Sequence, residues 1–277
     1  MGTGIAETLA ISGYEVIVRS RSPQTAEALL AGLERSLDKQ ISKGSLESSR
    51  KEEILSRCSA TCDLAELSDV DIVIESIVEE LETKRHLFNE LDRVCKDTTI
   101  LATNTSTLPV VEIAMATGRP DRVCGMHFFN PAVRMPLVEI VRQITVSDEV
   151  IEEVKGFAES CGKTPVIVPD RAGFIVNALL FPYLNNAVRL LEQAVATRDD
   201  IDLAMKGGCG FPMGPFALLD LIGLDTSLAI LETLYNEYKD SNYSPAPLLR
   251  RMVAAEMLGR KTHKGFYDYH DSHTSHS

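Results

Sequence analysis

The pattern of apolar and polar positions divides the chain into two parts. Up to about residue 170, short β-branched runs such as 14–18 and 70–74 alternate with longer segments of helical periodicity. Further strands are predicted at 99–103, 122–127, 137–142 and 165–168. Strands that alternate with helices are typical of a parallel, doubly wound sheet. The first part of the chain is therefore predicted to be an α/β domain.

The pattern changes near Pro169–Gly173, after which we find no strand signal. Long apolar-rich segments with helical periodicity follow, and they predict an all-α C-terminal domain. We place the boundary so that 1–170 form the sheet domain and 171–277 the helical domain. Ligands of open α/β sheets bind beyond the carboxyl ends of the strands, so a cleft between the two domains is the expected site.

The beginning of the chain resembles part of a dinucleotide-binding fingerprint. Such a domain normally opens with a strand and G-x-G-x-x-G at the start of a helix, where backbone N–H groups meet the pyrophosphate. Here Met1-Gly2-Thr3-Gly4 leads directly into a predicted helix and then a strand. Gly2 fits the third glycine. We interpret the domain as Rossmann-like and lacking its first, central strand, which would leave the neighbouring strands with unpaired backbone groups.

The residues after the strand at 14–18 bear on the choice of cofactor. An acid at this position holds the ribose 2′-hydroxyl of NAD, whereas an Arg accommodates the 2′-phosphate of NADP. The segment reads Arg19-Ser20-Arg21-Ser22, with two guanidiniums and no carboxylate. We predict that Ser20 and Arg21 contact the cofactor together with Gly2, and we favour NADP over NAD because Arg binds phosphate in a bidentate way. Two solvated arginines at a strand end are the alternative.

Composition and charge exclude several classes of function. The formal net charge of −12 disfavours nucleic-acid binding, because an acidic surface repels phosphate backbones. No apolar run is long enough to cross a bilayer and no signal peptide is recognisable, so no membrane partner is expected. The six scattered cysteines complete no zinc site and are typical of a reduced, cytoplasmic protein. We expect no metal, and interpret the terminal histidines His270, His273 and His276 as part of a disordered tail.

A series of ordered motifs is far more specific than any of these features. The motifs are Asn104-Thr105-Ser106, His127-Phe-Phe-Asn-Pro131, Met135-Pro-Leu-Val-Glu139, Gly173-Phe-Ile-Val-Asn177, Pro212-Met-Gly-Pro215 and Gly259-Arg-Lys-Thr-His-Lys-Gly-Phe-Tyr267. Together they resemble the 3-hydroxyacyl-CoA dehydrogenase family, especially its 3-hydroxybutyryl-CoA branch. The resemblance implies hydride transfer between NAD or NADP and the 3-position of an acyl-CoA. It also implies a homodimer formed through the helical domain.

The chemistry of a secondary alcohol independently calls for a residue such as His127. Oxidation needs a base for the hydroxyl proton, and the pKa of histidine suits that role in both directions. Glu139 would accept a hydrogen bond from the other ring nitrogen and fix the tautomer. The resemblance implies this pairing, and it implies that Ser106 and Asn177 hold the 3-oxygen of the substrate. The alternatives are a packed strand-end histidine, a helix-capping serine and an amide in an apolar helix that needs a hydrogen-bond partner in any case.

The resemblance also assigns contacts with the cofactor and with CoA. Glu79, Lys84, Ser106 and Lys261 match cofactor contacts, although His263 stands where the family usually has glycine in the terminal motif. Ser36 and Lys43, again with Ser106, match contacts with the acyl-CoA substrate. On sequence alone these residues are equally well explained as solvated charges and hydroxyls on helix faces.

Two other functions stay open at this point. A non-catalytic remnant is suggested by the absent first strand, and a dehydrogenase of a non-CoA hydroxy acid is the second alternative. The Phe128-Phe129 pair and the Ser36 and Lys43 matches argue against the latter. Acyl chain length and the physiological direction of the reaction are not readable from the sequence.

Overall fold

The computed structural model describes residues 1–270, so the expectation for His273 and His276 lies outside the described residues. The chain forms two compact units, one over Met1–Arg171 and one from Ala172 onward. No helix within residues 1–270 combines the length and the apolar character needed to span a membrane.

The first unit is built from alternating strands and helices. Its strands are β1 (Val16–Arg19), β2 (Cys58–Thr61), β3 (Ile72–Glu75), β4 (Ile100–Thr103), β5 (Val123–Phe128), β6 (Leu137–Arg142) and β7 (Thr164–Pro169). Its helices are α1 (Gly2–Ile11), α2 (Pro23–Ser42), α3 (Lys51–Ser56), α4 (Leu81–Val94), α5 (Val110–Ala114) and α6 (Asp148–Ser160). The sequence did not predict β2, because Cys-Ser-Ala-Thr shows neither an apolar run nor a clear alternation. It becomes a strand by pairing in parallel with β1.

Helices cover both faces of the larger sheet. Leu101 packs with side chains of α4 and α5 on one face. Its neighbour Ala102 belongs to a second cluster that contains Ile5 of α1 and Val154 of α6. Successive residues of a strand point to opposite faces, so this alternation shows helices on both sides. The predicted Rossmann-like, doubly wound architecture is therefore confirmed.

The strands do not form one continuous sheet within the described residues. The five strands from β3 to β7 pair in sequence order, while β1 pairs only with β2. Consequently β1 and β3 each have one edge without a strand partner inside residues 1–270. The two sheets are therefore separate in the part of the chain that the structure describes.

One strand direction differs from the prediction of a parallel sheet. β3, β4 and β5 are parallel, but β6 runs antiparallel to β5, and β7 is parallel to β6. The short connection 129–136 permits this reversal, since antiparallel neighbours need no crossover helix. The register of the antiparallel pair sets His127 directly opposite Glu139.

The second unit is helical, as predicted. Its helices are α7 (Val176–Glu192), α8 (Arg198–Cys209), α9 (Pro215–Ile222), α10 (Leu224–Tyr238) and α11 (Pro247–Ala254). They enclose a core that includes Phe181, Leu184, Phe216, Leu231 and Leu249. Deep burial of large apolar side chains in this separate cluster gives the unit its own source of stability.

The terminal motif is anchored to α9 by a buried carboxylate. Asp220 accepts hydrogen bonds from the N–H groups of Phe266 and Tyr267, and burial raises its pKa. A Cβ on Gly265 would lie 2.0 Å from Asp220 Oδ1, so no side chain fits there. His263 adopts φ 58°, in the left-handed region, so the turn keeps the conformation that a glycine would favour.

Candidate active site

The carboxyl ends of β3, β4 and β5 lie side by side and carry a group of polar residues. Because β6 runs in the opposite direction, its first residues lie at the same edge. Ligands of open α/β sheets bind at this edge. Three of the four residues predicted to do chemistry lie together at this edge, namely Ser106, His127 and Glu139.

His127 and Glu139 form a buried hydrogen-bonded pair at this edge. His127 Nδ1 lies 2.8 Å from Glu139 Oε2, and the two residues are 5% and 0% exposed. An Nδ1–H group that donates to a carboxylate leaves Nε2 as the nitrogen that exchanges a proton. The ring of Phe129 packs against the imidazole with centroids 4.6 Å apart and restricts its orientation.

The connection between these two strands is held by a lysine that sequence reasoning missed. Lys163 Nζ donates to the backbone carbonyls of Ala132 and Met135, at 2.5 and 3.0 Å. Burial lowers the pKa of this ammonium. A single lysine ahead of β7 gives no signal in a sequence, because only the fold shows what it contacts.

Ser106 faces the second ring nitrogen of His127. Its Oγ lies 3.2 Å from His127 Nε2. The alternative role as a helix cap is wrong, because Asp170 accepts the first N–H groups of α5, from Val110 and Val111, at 3.0 and 2.7 Å. Asn104 Oδ1 accepts from the N–H of Phe128 at 2.8 Å and ties the ends of β4 and β5 together. A continuous line of polar contacts thus runs from Glu139 through His127 to Ser106.

Glu79 and Lys84 both have partners within the first unit. Glu79 Oε1 accepts from Thr105 Oγ1 at 2.6 Å and from the N–H of Ser106 at 2.8 Å. Lys84 is 0% exposed, and its Nζ lies 2.7 and 2.9 Å from the two oxygens of Glu75. Lys84 is therefore not a solvated charge on a helix face. Its direct contact with a cofactor stays a prediction.

The residues predicted to hold the cofactor begin at α1. A Cβ on Gly2 would lie 3.9 Å from Ser76 Oγ, so the start of α1 stands beside the end of β3. The next residues, Ile77 and Val78, are 41% and 57% exposed, which the sequence did not predict. A helix N-terminus beside exposed apolar side chains fits the phosphates and flat rings of a dinucleotide.

Ser20 and Arg21 directly follow β1. Ser20 is buried and its N–H donates to Thr61 O at 2.9 Å. Arg21 is exposed and forms no ion pair within residues 1–270. Their predicted contact with the cofactor is tested by no observation so far and stays a prediction.

Ser36 and Lys43 both lie on or next to α2. Ser36 Oγ donates to Glu7 Oε1 at 2.9 Å, at the packing of α2 on α1, and burial raises the pKa of Glu7. Lys43 is exposed just after the end of α2. Their predicted contacts with CoA stay predictions.

Two predicted site residues belong to the second unit. Asn177 is buried in the first turn of α7. Lys261 pairs with Asp225, with Nζ 2.5 Å from Oδ1. Their predicted roles toward the substrate and the cofactor are likewise untested.

Comparison with known proteins adds independent information to this geometry. The family model described as "3-hydroxyacyl-CoA dehydrogenase, NAD binding domain" matches residues 1–171, and the model of the C-terminal domain of the same family matches residues 173–269. The chain belongs to the 3-hydroxyacyl-CoA dehydrogenase family. The resemblance carried by the motifs is thereby confirmed.

Individual relatives are similar over nearly their whole length. The chain is 46% identical over 269 residues to a 3-hydroxybutyryl-CoA dehydrogenase of Clostridioides difficile, covering 97% of this chain and 96% of that protein. It is 42% identical to the mitochondrial hydroxyacyl-coenzyme A dehydrogenase of Sus scrofa, covering 97% and 88%. The crystal structure of (S)-3-hydroxybutyryl-CoA dehydrogenase from Ralstonia eutropha has a TM-score of 0.94 and 40% identity, covering 97% of this chain and 95% of that chain.

These matches support the predicted enzyme activity. As a 3-hydroxyacyl-CoA dehydrogenase with an NAD-binding domain, the protein is an oxidoreductase that acts on the 3-position of an acyl-CoA. They favour this activity over a non-catalytic remnant or a dehydrogenase of a non-CoA hydroxy acid.

Proposed function

We propose that this dehydrogenase interconverts short-chain 3-hydroxyacyl-CoA and 3-oxoacyl-CoA, as in the (S)-3-hydroxybutyryl-CoA and acetoacetyl-CoA pair, with His127 as acid and base. The observation that carries the proposal is the line from Glu139 through His127 to Ser106, with contacts of 2.8 and 3.2 Å. The substrates named for the relatives in Clostridioides difficile and Ralstonia eutropha support the choice of a short acyl chain.

The proton and the hydride leave the alcohol by different routes. In oxidation, His127 Nε2 takes the proton of the 3-hydroxyl group as the C3–H bond breaks and the C=O bond forms. When bound, the nicotinamide ring accepts the hydride in this direction and supplies it in the other. Glu139 stabilises the imidazolium through Nδ1–H, and in reduction His127 returns the proton to the 3-oxygen.

Negative charge that develops on the 3-oxygen needs hydrogen-bond donors. In the proposal, Ser106 Oγ and the amide of Asn177 donate to this oxygen. Donors that are already fixed before the reaction stabilise such charge at little reorganisation cost. The position of Ser106 beside His127 Nε2 supports its part in this role.

The cofactor and CoA contacts complete the proposal. The start of α1 at Gly2 receives the pyrophosphate of the cofactor. The ribose and nicotinamide side of the cofactor is contacted by Glu79, Lys84, Ser106 and Lys261. The CoA nucleotide is contacted by Ser36 and Lys43. NAD binding follows from the family, and we propose NADP as the preferred form, with Ser20 and Arg21 at the 2′-phosphate. Support comes from the exposed Arg21, which has no competing ion pair within residues 1–270.

A steady-state assay tests both the substrate and the cofactor. We expect the full chain to reduce acetoacetyl-CoA, but not free acetoacetate, and to have a higher kcat/KM with NADPH than with NADH. The Arg21→Ala variant should lose about tenfold in kcat/KM for NADPH and little for NADH, because one phosphate contact is removed. Arg85→Ala, which removes an exposed ion pair to Glu82 on α4, is the control. A preference for NADH that Arg21→Ala leaves unchanged would contradict the NADP assignment.

We also propose a homodimer formed through the helical unit. Leu179, Leu203 and Val195 are 72%, 66% and 65% exposed, which is unusual for large apolar side chains on one unit. Sedimentation velocity should give a dimer for the natural chain and a monomer for Leu179→Glu combined with Leu203→Glu. Ile144→Glu, at an 89% exposed position of the first unit, should stay dimeric. Equal sedimentation of all three would contradict this interface.

A cytoplasmic location completes the proposal. It is supported by the six cysteines, which are all free. Free thiols persist in reducing compartments.

A further inference from the structure

Thr105 lies next to Ser106 and has no part in the roles discussed above. It is 0% exposed, and its hydroxyl group makes contacts in two directions. Oγ1 donates to Glu79 Oε1 at 2.6 Å and accepts from the N–H of Leu108 at 3.0 Å. We propose that Thr105 and Glu79 are positioning residues that fix Ser106 against His127. This inference rests on the proposed function and deepens it.

Glu79 controls the backbone on both sides of the Ser106 side chain. Its Oε1 accepts from the N–H of Ser106 at 2.8 Å and from the N–H of Thr107 at 3.2 Å. Two successive peptide groups that point at one carboxylate oxygen have a fixed orientation. That orientation sets the direction of the Cα–Cβ bond of Ser106, from which Oγ reaches His127 Nε2.

A buried ion pair stands behind Glu79. Lys84 Nζ lies 3.4 Å from Glu79 Oε2 and also binds both oxygens of Glu75. Glu75 accepts two further hydrogen bonds, from Thr103 Oγ1 at 2.7 Å and from the N–H of Ile77 at 2.6 Å. One hydrogen-bond network thus joins the loop that follows β4 and carries Ser106 to the ends of β3 and β4 and to the first turn of α4.

The network is better explained by a role in placing Ser106 accurately than by a role in stabilising the fold. Replacing a buried ion pair by apolar residues is often neutral or stabilising, so an interior Lys between two acids is an inefficient way to hold a fold together. In contrast, a catalytic group displaced by about 1 Å can lose about a hundredfold in rate. Ser106 Oγ, at 3.2 Å from His127 Nε2, depends on its loop for this alignment.

Matched threonine substitutions test the inference. Thr105→Val removes the hydroxyl and keeps the shape, Thr105→Ser keeps the hydroxyl, and Thr99→Val is the control. Thr99 directly precedes β4 and is also 0% exposed, and its hydroxyl group donates to Val70 O at 2.7 Å. Thr99→Val therefore also removes a buried hydrogen bond, but far from Ser106. We expect Thr105→Val to lower kcat for acetoacetyl-CoA by about tenfold or more relative to Thr99→Val. Thr105→Ser should restore most of kcat.

A second readout separates positioning from binding. The dissociation constant for NADH and for NADPH, from fluorescence titration, should change much less than kcat in Thr105→Val, because Glu79, which is also proposed to face the cofactor, keeps its contact with Lys84. If Thr105→Val does not fold, Thr103→Val replaces it as the test, because it removes a hydrogen bond to Glu75 in the same network. We then expect kcat to fall about threefold relative to Thr99→Val.

Ser106→Ala, measured in parallel, keeps the two proposals apart. If Ser106→Ala loses activity while Thr105→Val matches Thr99→Val, the positioning role is wrong and the proposed function stands. If Ser106→Ala retains full activity, the proposed role of Ser106 fails and the positioning role fails with it. A loss of cofactor affinity in Thr105→Val that accounts for its loss of activity would also overturn the inference.

Discussion

Replacing His127 by alanine is expected to lower kcat for acetoacetyl-CoA reduction by about 10²- to 10⁴-fold, the range typical of general acid–base catalysis. The reason is that no other titratable group is assigned to the proton of the 3-oxygen. Binding of the cofactor should change little, because His127 is not among the residues proposed to hold the cofactor. Stopped-flow or steady-state absorbance at the nicotinamide band measures the rate, and fluorescence titration measures the affinity.

A control is needed because the substitution also deprives a buried carboxylate of a donor. Glu139 is 0% exposed and accepts from His127 at 2.8 Å. His127→Gln keeps an amide donor that can reach toward Glu139 but carries no titratable nitrogen. Both variants should retain the circular dichroism of the natural chain and lose activity alike. Near-normal turnover in either variant would show that His127 is not the acid and base.

Replacing Lys84 by methionine is expected to destabilise the first unit by about 3–5 kcal/mol, the usual cost of breaking a buried ion pair by removing one partner. Methionine keeps much of the apolar length of lysine, so the loss reports mainly on charge. Glu75, which is 4% exposed, would remain buried without its cation. Urea unfolding followed by circular dichroism gives the free energy of unfolding.

Lys96 provides the matched control for this substitution. It also pairs with two carboxylates, at 3.2 Å from Asp69 and 2.9 Å from Asp71, but at the surface. Lys96→Met should change the stability little, because exposed ion pairs are screened by water and salt. Adding Glu75→Gln to Lys84→Met should recover part of the loss, since it removes one of the uncompensated charges. A single Lys84→Met variant as stable as Lys96→Met would contradict the energetic role of the buried pair.

Much of the fold was predictable because its signals are local. The apolar run at 137–142 predicted β6 at the bounds the structure has, and the change of pattern near residue 170 predicted the helical second unit. The direction of β6 was predicted wrongly, although the connection 129–136 is too short for the crossover that parallel neighbours need. β2 was missed because its four residues become a strand only through pairing with β1.

The site likewise has parts that the sequence could predict and parts that it could not. His127 and Glu139 were predicted from the chemistry of an alcohol and from the family motifs, and their contact follows from the register of β5 and β6. The burial of Lys84 was not predictable, because a lysine on an amphipathic helix normally faces water. Its contact with Glu75 depends on how α4 packs against the end of β3, which no local pattern encodes. Thr105 was quoted within a motif, but its role depends on the same packing.

The antiparallel pairing of β5 and β6 has a consequence for how the chain tolerates change. The proton-transfer group and its carboxylate belong to one hairpin, so their mutual distance depends on a short stretch of chain rather than on the assembly of remote segments. Side chains alternate between the faces of a strand. Insertion of a single residue after the reversal and before Glu139 would therefore turn the carboxylate to the opposite side of the sheet, while substitutions in the exposed part of the reversal leave the pair intact.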